Sequence, residues 1–414
     1  MRTHLSIEKD QFLINGKPVY SEIAHCPNHL IGRLMNARFI QGIFHDQADE
    51  QRFHRFGKTF DADNNTNQLI AALPQWYQAG LRAFTVGMQG GGTCFTIPNS
   101  SINSSPFSAD GTQIDSAALD RLTRLINAAD EQGMIVILSM FYCGQTRYLN
   151  GTSAIIAAIH TLCAFLREKG WKNIILEIAN EFDLQAFSSI PAIQTPSGMV
   201  ALMDIARHAS GLPVGCSGAG GSLHREVVEN SDVILFHGNG QSPQTMAALI
   251  DQIRLWAPDR PIICNEDSPS LPNMRVCMEK GVSWGYYNNM TKQEPPTDWR
   301  ILPGEDEFFA WRMAHALGIE RPRPQAEIIL AGAAEEESAQ GQYWLRVASL
   351  YPEKIAYVDF YHENEWQYRC FEAPFSLYYL SNWQQKPTTN PGLWRAEAVL
   401  HSGEKLVLEK KIGL

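Results

Sequence analysis

Ile174-Ile175-Leu176-Glu177-Ile178-Ala179-Asn180-Glu181-Phe182-Asp183 is an apolar, β-branched run that ends in polar residues. A barrel strand buried on both faces has this composition, with chemistry placed at its C-terminal end. Side chains alternate along a strand, so Glu177, Ala179 and Glu181 share one face and Ile178 and Asn180 the other. If the odd positions point inward, Glu181 stands at the barrel mouth.

A second run of the same kind is Arg260-Pro261-Ile262-Ile263-Cys264-Asn265-Glu266-Asp267, in which alternation groups Ile262, Cys264 and Glu266. The two strand-end glutamates are 85 positions apart. A strand-plus-helix unit takes about 30 residues, so the gap fits three units and places Glu181 on strand four and Glu266 on strand seven.

An Asn-Glu ending strand four with a Glu ending strand seven resembles the retaining glycoside hydrolases of clan A, the superfamily of many cellulases, β-mannanases and β-galactosidases. The resemblance spans roughly residues 12–315. It implies a (β/α)8 TIM barrel, Glu181 as acid/base, Asn180 as the ligand of the sugar 2-hydroxyl and Glu266 as nucleophile. It identifies no particular family within the clan and leaves the sugar open.

The rest of the chain fits this frame. Phe12 to Val19 reads as a hairpin around an Asn-Gly turn, with Val19–His25 expected as the first barrel strand. A long insertion from Cys26 to Asn65 follows, in which Arg38 is a candidate for the active site. Strand two, 81–89, delivers Gln89 to the mouth, and strand three, 134–142, delivers Tyr142 as a ring for stacking on sugar. Gly90-Gly91-Gly92 lacks the spacing of a phosphate-binding loop. Strand six, 233–239, carries His237, which resembles the clan's substrate-binding or nucleophile-positioning histidine. Strand eight, 282–288, carries Trp284 where clan barrels often place an aromatic floor. Glu177 is expected to pair with Arg38 or Arg82, because a carboxylate inside a barrel needs a partner.

Glu320-Arg321-Pro322-Arg323-Pro324 breaks the helical pattern, and short alternating strands follow it. This predicts a catalytic barrel over 1–320 and a small β-sandwich over 321–414.

The net charge of −10 leaves no basic stripe for nucleic acid or an anionic membrane. The eight cysteines form no CxxC pair, which suits buried thiols better than a disulfide framework or zinc site. No cofactor is expected. The N-terminus has no apolar signal segment, so a cytoplasmic protein acting on imported oligosaccharide, rather than on insoluble polysaccharide, is expected. An inverting hydrolase, a metal-dependent barrel hydrolase and a non-catalytic carbohydrate-binding barrel are the alternatives; His25, His45 and His237 show no HxH or HExxH spacing.

Overall fold

The structure is a computed structural model that describes residues 2–269, 271–334, 338, 341–378 and 386–413. Eight short parallel strands form the barrel: Asn36–Arg38, Ala83–Gly87, Ile135–Phe141, Ile174–Ala179, Val214–Gly215, Ile234–His237, Ile262–Glu266 and Ser283–Tyr286. Each pairs with its sequence neighbour except the fifth with the sixth, and the eighth pairs with the first. The fifth and sixth meet through single backbone bonds, Asp232 and Val233 N–H to Val214 C=O, instead of a full ladder. Helices Ala62–Gln78, Ser116–Gln132, Gly151–Lys169, Pro196–Ser210, Arg225–Asn230, Pro243–Trp256, Leu271–Glu279 and Glu305–Ala316 surround it. Their apolar stripes, such as Leu69, Leu73 and Trp76 on the first, are buried against the barrel wall.

The first strand is not where the sequence places it. Val19–His25 runs through turns, and Asn36–Arg38, only three residues long, opens the barrel. The Asn-Gly hairpin belongs to a three-stranded sheet, Leu5–Glu8, Gln11–Ile14 and Lys17–Pro18. Leu5 N–H bonds Lys172 C=O, and Thr3 bonds Asp130, both just ahead of barrel strands. The sheet therefore floors the barrel at the end opposite the strand-end glutamates.

Beyond Ala316, residues 317–327 contain no helix or strand. Then come two antiparallel sheets, Ile328–Ala331, Arg346–Ser349 and Phe375–Ser376 in one, Glu365–Cys370, Ile355–His362, Gly392–Leu400 and Lys405–Ile412 in the other. They enclose a separate core that includes Val358, Phe360, Trp394, Ala396 and Phe375. The strand read at 376–380 ends outside the described residues. No described helix is long and apolar enough to cross a membrane.

Candidate active site

Residues from strands one, four, six and seven meet at the C-terminal mouth. Arg38, 1% exposed, places Nε 2.8 Å from Glu266 Oε2 and donates from Nη2 to Asn180 Oδ1 at 2.7 Å. Glu266 Oε1 accepts from Asn239 Nδ2 at 2.9 Å. His237 Nδ1 lies 3.0 Å from Glu181 Oε1 and 3.6 Å from Glu266 Oε2. While both groups are ionised, a protonated Nδ1 can donate to either carboxylate.

Two local irregularities make this convergence. Glu181 has φ +54°, in the left-handed region that a non-glycine residue enters at a cost of about 1–3 kcal/mol. The turn lets consecutive residues, Asn180 and Glu181, both reach the mouth. On strand seven the register with strand six skips Asn265: Phe236 pairs with Cys264 and His237 with Glu266. This bulge turns Asn265 and Glu266 both inward, so the simple grouping of Ile262, Cys264 and Glu266 on one face fails at its last member.

Below the mouth, Glu177 does not pair with an arginine. Its Oε1 accepts from Ser217 Oγ at 2.7 Å and Asn265 Nδ2 at 3.0 Å. Arg38 is taken by Glu266 and Asn180, and Arg82 reaches Glu22. Ser217 Oγ also accepts the Glu181 N–H at 3.2 Å, so one hydroxyl supports both the buried glutamate and the strained turn.

The remaining candidates divide. Tyr142, half-buried, follows strand three at the mouth, within electrostatic reach of Arg38 and Glu266. Gln89 is buried and bonded to the protein at both ends: Oε1 accepts the Tyr142 N–H and Nε2 donates to Ser105 Oγ. These bonds tie the end of strand three to the loop at Ser105. Trp284 faces away from the mouth, fully buried against Phe309, with its indole donating to Asp267. Strand parity explains the difference. Trp284 and Tyr286 point toward the helices, whereas Gly285 faces inward, where a Cβ would come 2.4 Å from Asn36 Oδ1. The aromatic residue that this strand brings to the site is Tyr287, whose ring centroid lies 5.4 Å from the Arg38 guanidinium carbon. Asn239, Ser217 and Tyr287 were absent from the sequence-derived site. Only the strand-end position of Asn239, two residues after His237, gave a signal.

The electrostatics are asymmetric. Burial raises the Glu266 carboxyl above the ordinary carboxylate range; Arg38 and His237 oppose this and the Glu181 charge adds to it. Burial lowers the His237 pKa, but Glu266 and Glu181 outweigh it and leave the imidazole raised. Burial, then the Glu181 and Glu266 charges, push the neighbouring Cys143 thiol up to about 12.

One oxygen each of Glu181 and Glu266 and a ring nitrogen of His237 lie within 4.8 Å of one another, the sole such group of three among the described residues. Arg38 sets a fixed cation against a Glu266 oxygen, which opposes a divalent ion at the same place.

No protein-family model matches the sequence, and no curated protein matches it significantly. Solved structures do. A putative glycoside hydrolase from Bacteroides vulgatus superposes with a TM-score of 0.52 at 11% identity, over 94% of this chain and 83% of that one. The barrel-and-sandwich fold is shared with that protein. A glycosyl hydrolase family 2 member from Bacteroides cellulosilyticus gives 0.46 at 12% identity, over 99% of this chain and 48% of that chain. A β-mannanase from the blue mussel Mytilus edulis gives 0.43 at 13%, over 70% and 92%. The chain spans about half the length of the family 2 structure. At such identities the likeness shows fold alone.

Proposed function

We propose that this chain is a glycosidase that cleaves a β-glycosidic bond in an oligosaccharide or polysaccharide with retention of configuration. The observation that carries the reading is the carboxylate pair across the mouth, in which one oxygen of Glu181 and one of Glu266 approach within 4.8 Å with His237 beside both. Retaining glycosidases hold their carboxyls about 5–5.5 Å apart, whereas inverting ones leave about 6.5–9.5 Å for a water. The Bacteroides vulgatus neighbour, a putative glycoside hydrolase, supports the same class.

Each residue then has a task. Glu266, fixed by Arg38 and Asn239 with one oxygen toward His237, attacks the anomeric carbon as Glu181 protonates the leaving oxygen. The resulting glycosyl ester is opened by a water that Glu181 deprotonates, which restores both carboxyls. His237 orients Glu181 through Nδ1. Asn180 gives its oxygen to Arg38, which leaves Nδ2 as the donor to a sugar hydroxyl. Tyr142 and Tyr287 supply ring surface beside the pair.

The test is intact-protein mass spectrometry after incubation with a panel of 2-deoxy-2-fluoro glycosyl fluorides. A one-sugar adduct mapping to Glu266 is the expected result. Absence of an adduct, together with undiminished oligosaccharide turnover by Glu266→Ala, overturns the reading.

A further inference from the structure

The C-terminal sandwich touches the barrel at two kinds of place, and one leads into the mouth. Arg346 donates from Nε and Nη2 to the two oxygens of Glu305, both at 2.6 Å, with both side chains almost fully buried. Glu305 Oε2 also accepts from Asn288 Nδ2 at 3.1 Å, and that amide lies 3.2 Å from Tyr286 Oη and Asp306 Oδ1. Asn288 caps the short helix Asn289–Lys292, and it directly follows Tyr287. Two residues before Arg346, Trp344 packs on Phe95 at 4.9 Å and on Met290. Phe95 follows Cys94, whose thiol accepts from Asn289 Nδ2 at 3.5 Å and lies near Tyr287. Glu294 ties the two loops together by accepting the Cys94 and Phe95 N–H groups, both at 2.9 Å.

We propose that Arg346 and Trp344 are positioning residues for the catalytic site: they brace the loops after strands two and eight, and so hold Tyr287 under Arg38. A bidentate ion pair buried at an interface fixes geometry more than it adds stability, because desolvation offsets much of the attraction. Here the fixed geometry is one peptide away from the ring that faces Arg38, and Arg38 holds Glu266. The sandwich is therefore part of the catalytic unit. The kinetic consequence rests on the glycosidase reading, while the loop geometry does not.

The experiment uses the full chain with Arg346→Met, the milder Glu305→Gln and Arg346→Lys. Arg312→Met is the control, because Arg312 joins the two units through Glu353 and Leu350 C=O without touching either loop. Two readouts are taken. One is the rate of N-ethylmaleimide labelling of Cys94, mapped by peptide mass spectrometry with Cys143 as internal reference. The other is the acid limb of kcat/KM against pH. Groups facing Glu266 are Arg38, His237, Glu181 and Asn239, with Tyr142, Tyr287, Cys94 and Cys143 around them.

Arg346→Met and Glu305→Gln are expected to speed Cys94 labelling at least about tenfold by favouring the open loop. They should also move the acid limb to higher pH as Arg38 loses its seat, with Arg346→Lys between these variants and wild type. Arg312→Met leaves both unchanged. Unchanged Cys94 labelling in Glu305→Gln, or an equal response in Arg312→Met, overturns the proposal. If wild type cleaves no glycoside, the glycosidase reading fails and Cys94 labelling alone decides the brace; if Arg346→Met does not fold, Glu305→Gln decides it.

Discussion

Asp267→Asn should stabilise the protein above neutral pH and do almost nothing below pH 4. Asp267 is 1% exposed and has no cation among its hydrogen-bond partners: Oδ2 accepts from Trp284 Nε1 at 2.9 Å and Asn273 Nδ2 at 3.1 Å, and Oδ1 from Ser268 Oγ at 3.2 Å. Burial raises its pKa from 3.8 to about 7, with these donors only partly opposing it. A carboxyl whose folded pKa is raised contributes stability that is complete below the unfolded value and is lost as pH climbs to the folded one. The interval from 3.8 to about 7, at about 1.36 kcal/mol per pH unit, amounts to about 4 kcal/mol. An asparagine escapes that loss. Its oxygen can face Trp284 and Asn273 and its amide can face the Ser268 hydroxyl, so a gain of about 2–4 kcal/mol at pH 8 is expected after the residual burial of the amide. Urea denaturation of both proteins at pH 4, 6 and 8 reads the difference, from which other titrating groups cancel. A difference that stays flat across the series, or an asparagine variant less stable at pH 8, refutes the reasoning.

Other outcomes follow from the mouth itself. Arg38 holds the Glu266 pKa down, so Arg38→Met should move the acid limb of kcat/KM to higher pH and lower activity near neutrality at least about tenfold, with partial recovery at alkaline pH; a pH-independent loss contradicts this. The His237 pKa is raised from 6.5, so its ion pairs stabilise fully below that value and less as pH rises through the folded value. The stability advantage of wild type over His237→Gln should accordingly shrink between pH 6 and 9 in thermal denaturation. Ser217→Ala removes the donor to Glu177 and the acceptor of the Glu181 N–H, for an expected loss of about 1–3 kcal/mol by urea titration together with reduced activity. At Glu181, with φ +54°, glycine should be about 1 kcal/mol more stable than alanine although neither turns over substrate; equal stabilities would show that the turn is unstrained.

The sequence carried the strand runs around Glu181 and Glu266, their spacing by three units and the change to short strands after Pro324, because these depend on periodicity and length. It misplaced the first strand because Asn36-Ala37-Arg38 is too short to show a period, while the more regular stretch after the hairpin is turn. The clan resemblance points to Trp284 at the mouth, whereas alternation past Gly285 puts Tyr287 there. The partners of Glu177 were hidden for another reason. Asn265 reaches it only because strand seven is bulged, and a bulge leaves no mark in a two-residue period.

Those irregularities tie the fold to the chemistry. A regular strand end sends alternate residues into a barrel, but strands four and seven each send two in succession, through a left-handed glutamate in one and a bulge in the other. In each pair the asparagine binds protein and the glutamate faces the mouth. Asn180 meets Arg38, Arg38 meets Glu266, Glu266 and Glu181 share His237, the Glu181 N–H meets Ser217, and Ser217 meets Glu177, which meets Asn265. This unbroken polar chain joins strands one, four, six and seven to Ser217, just beyond strand five, in an interior where apolar side chains would fold with less desolvation. A scaffold selected for stability alone would not keep a strained glutamate and a buried, raised carboxyl within reach of each other. The proposed two-carboxylate reaction would use both, with one acid fixed among Arg38, Asn239 and His237 and the other half-buried beside His237.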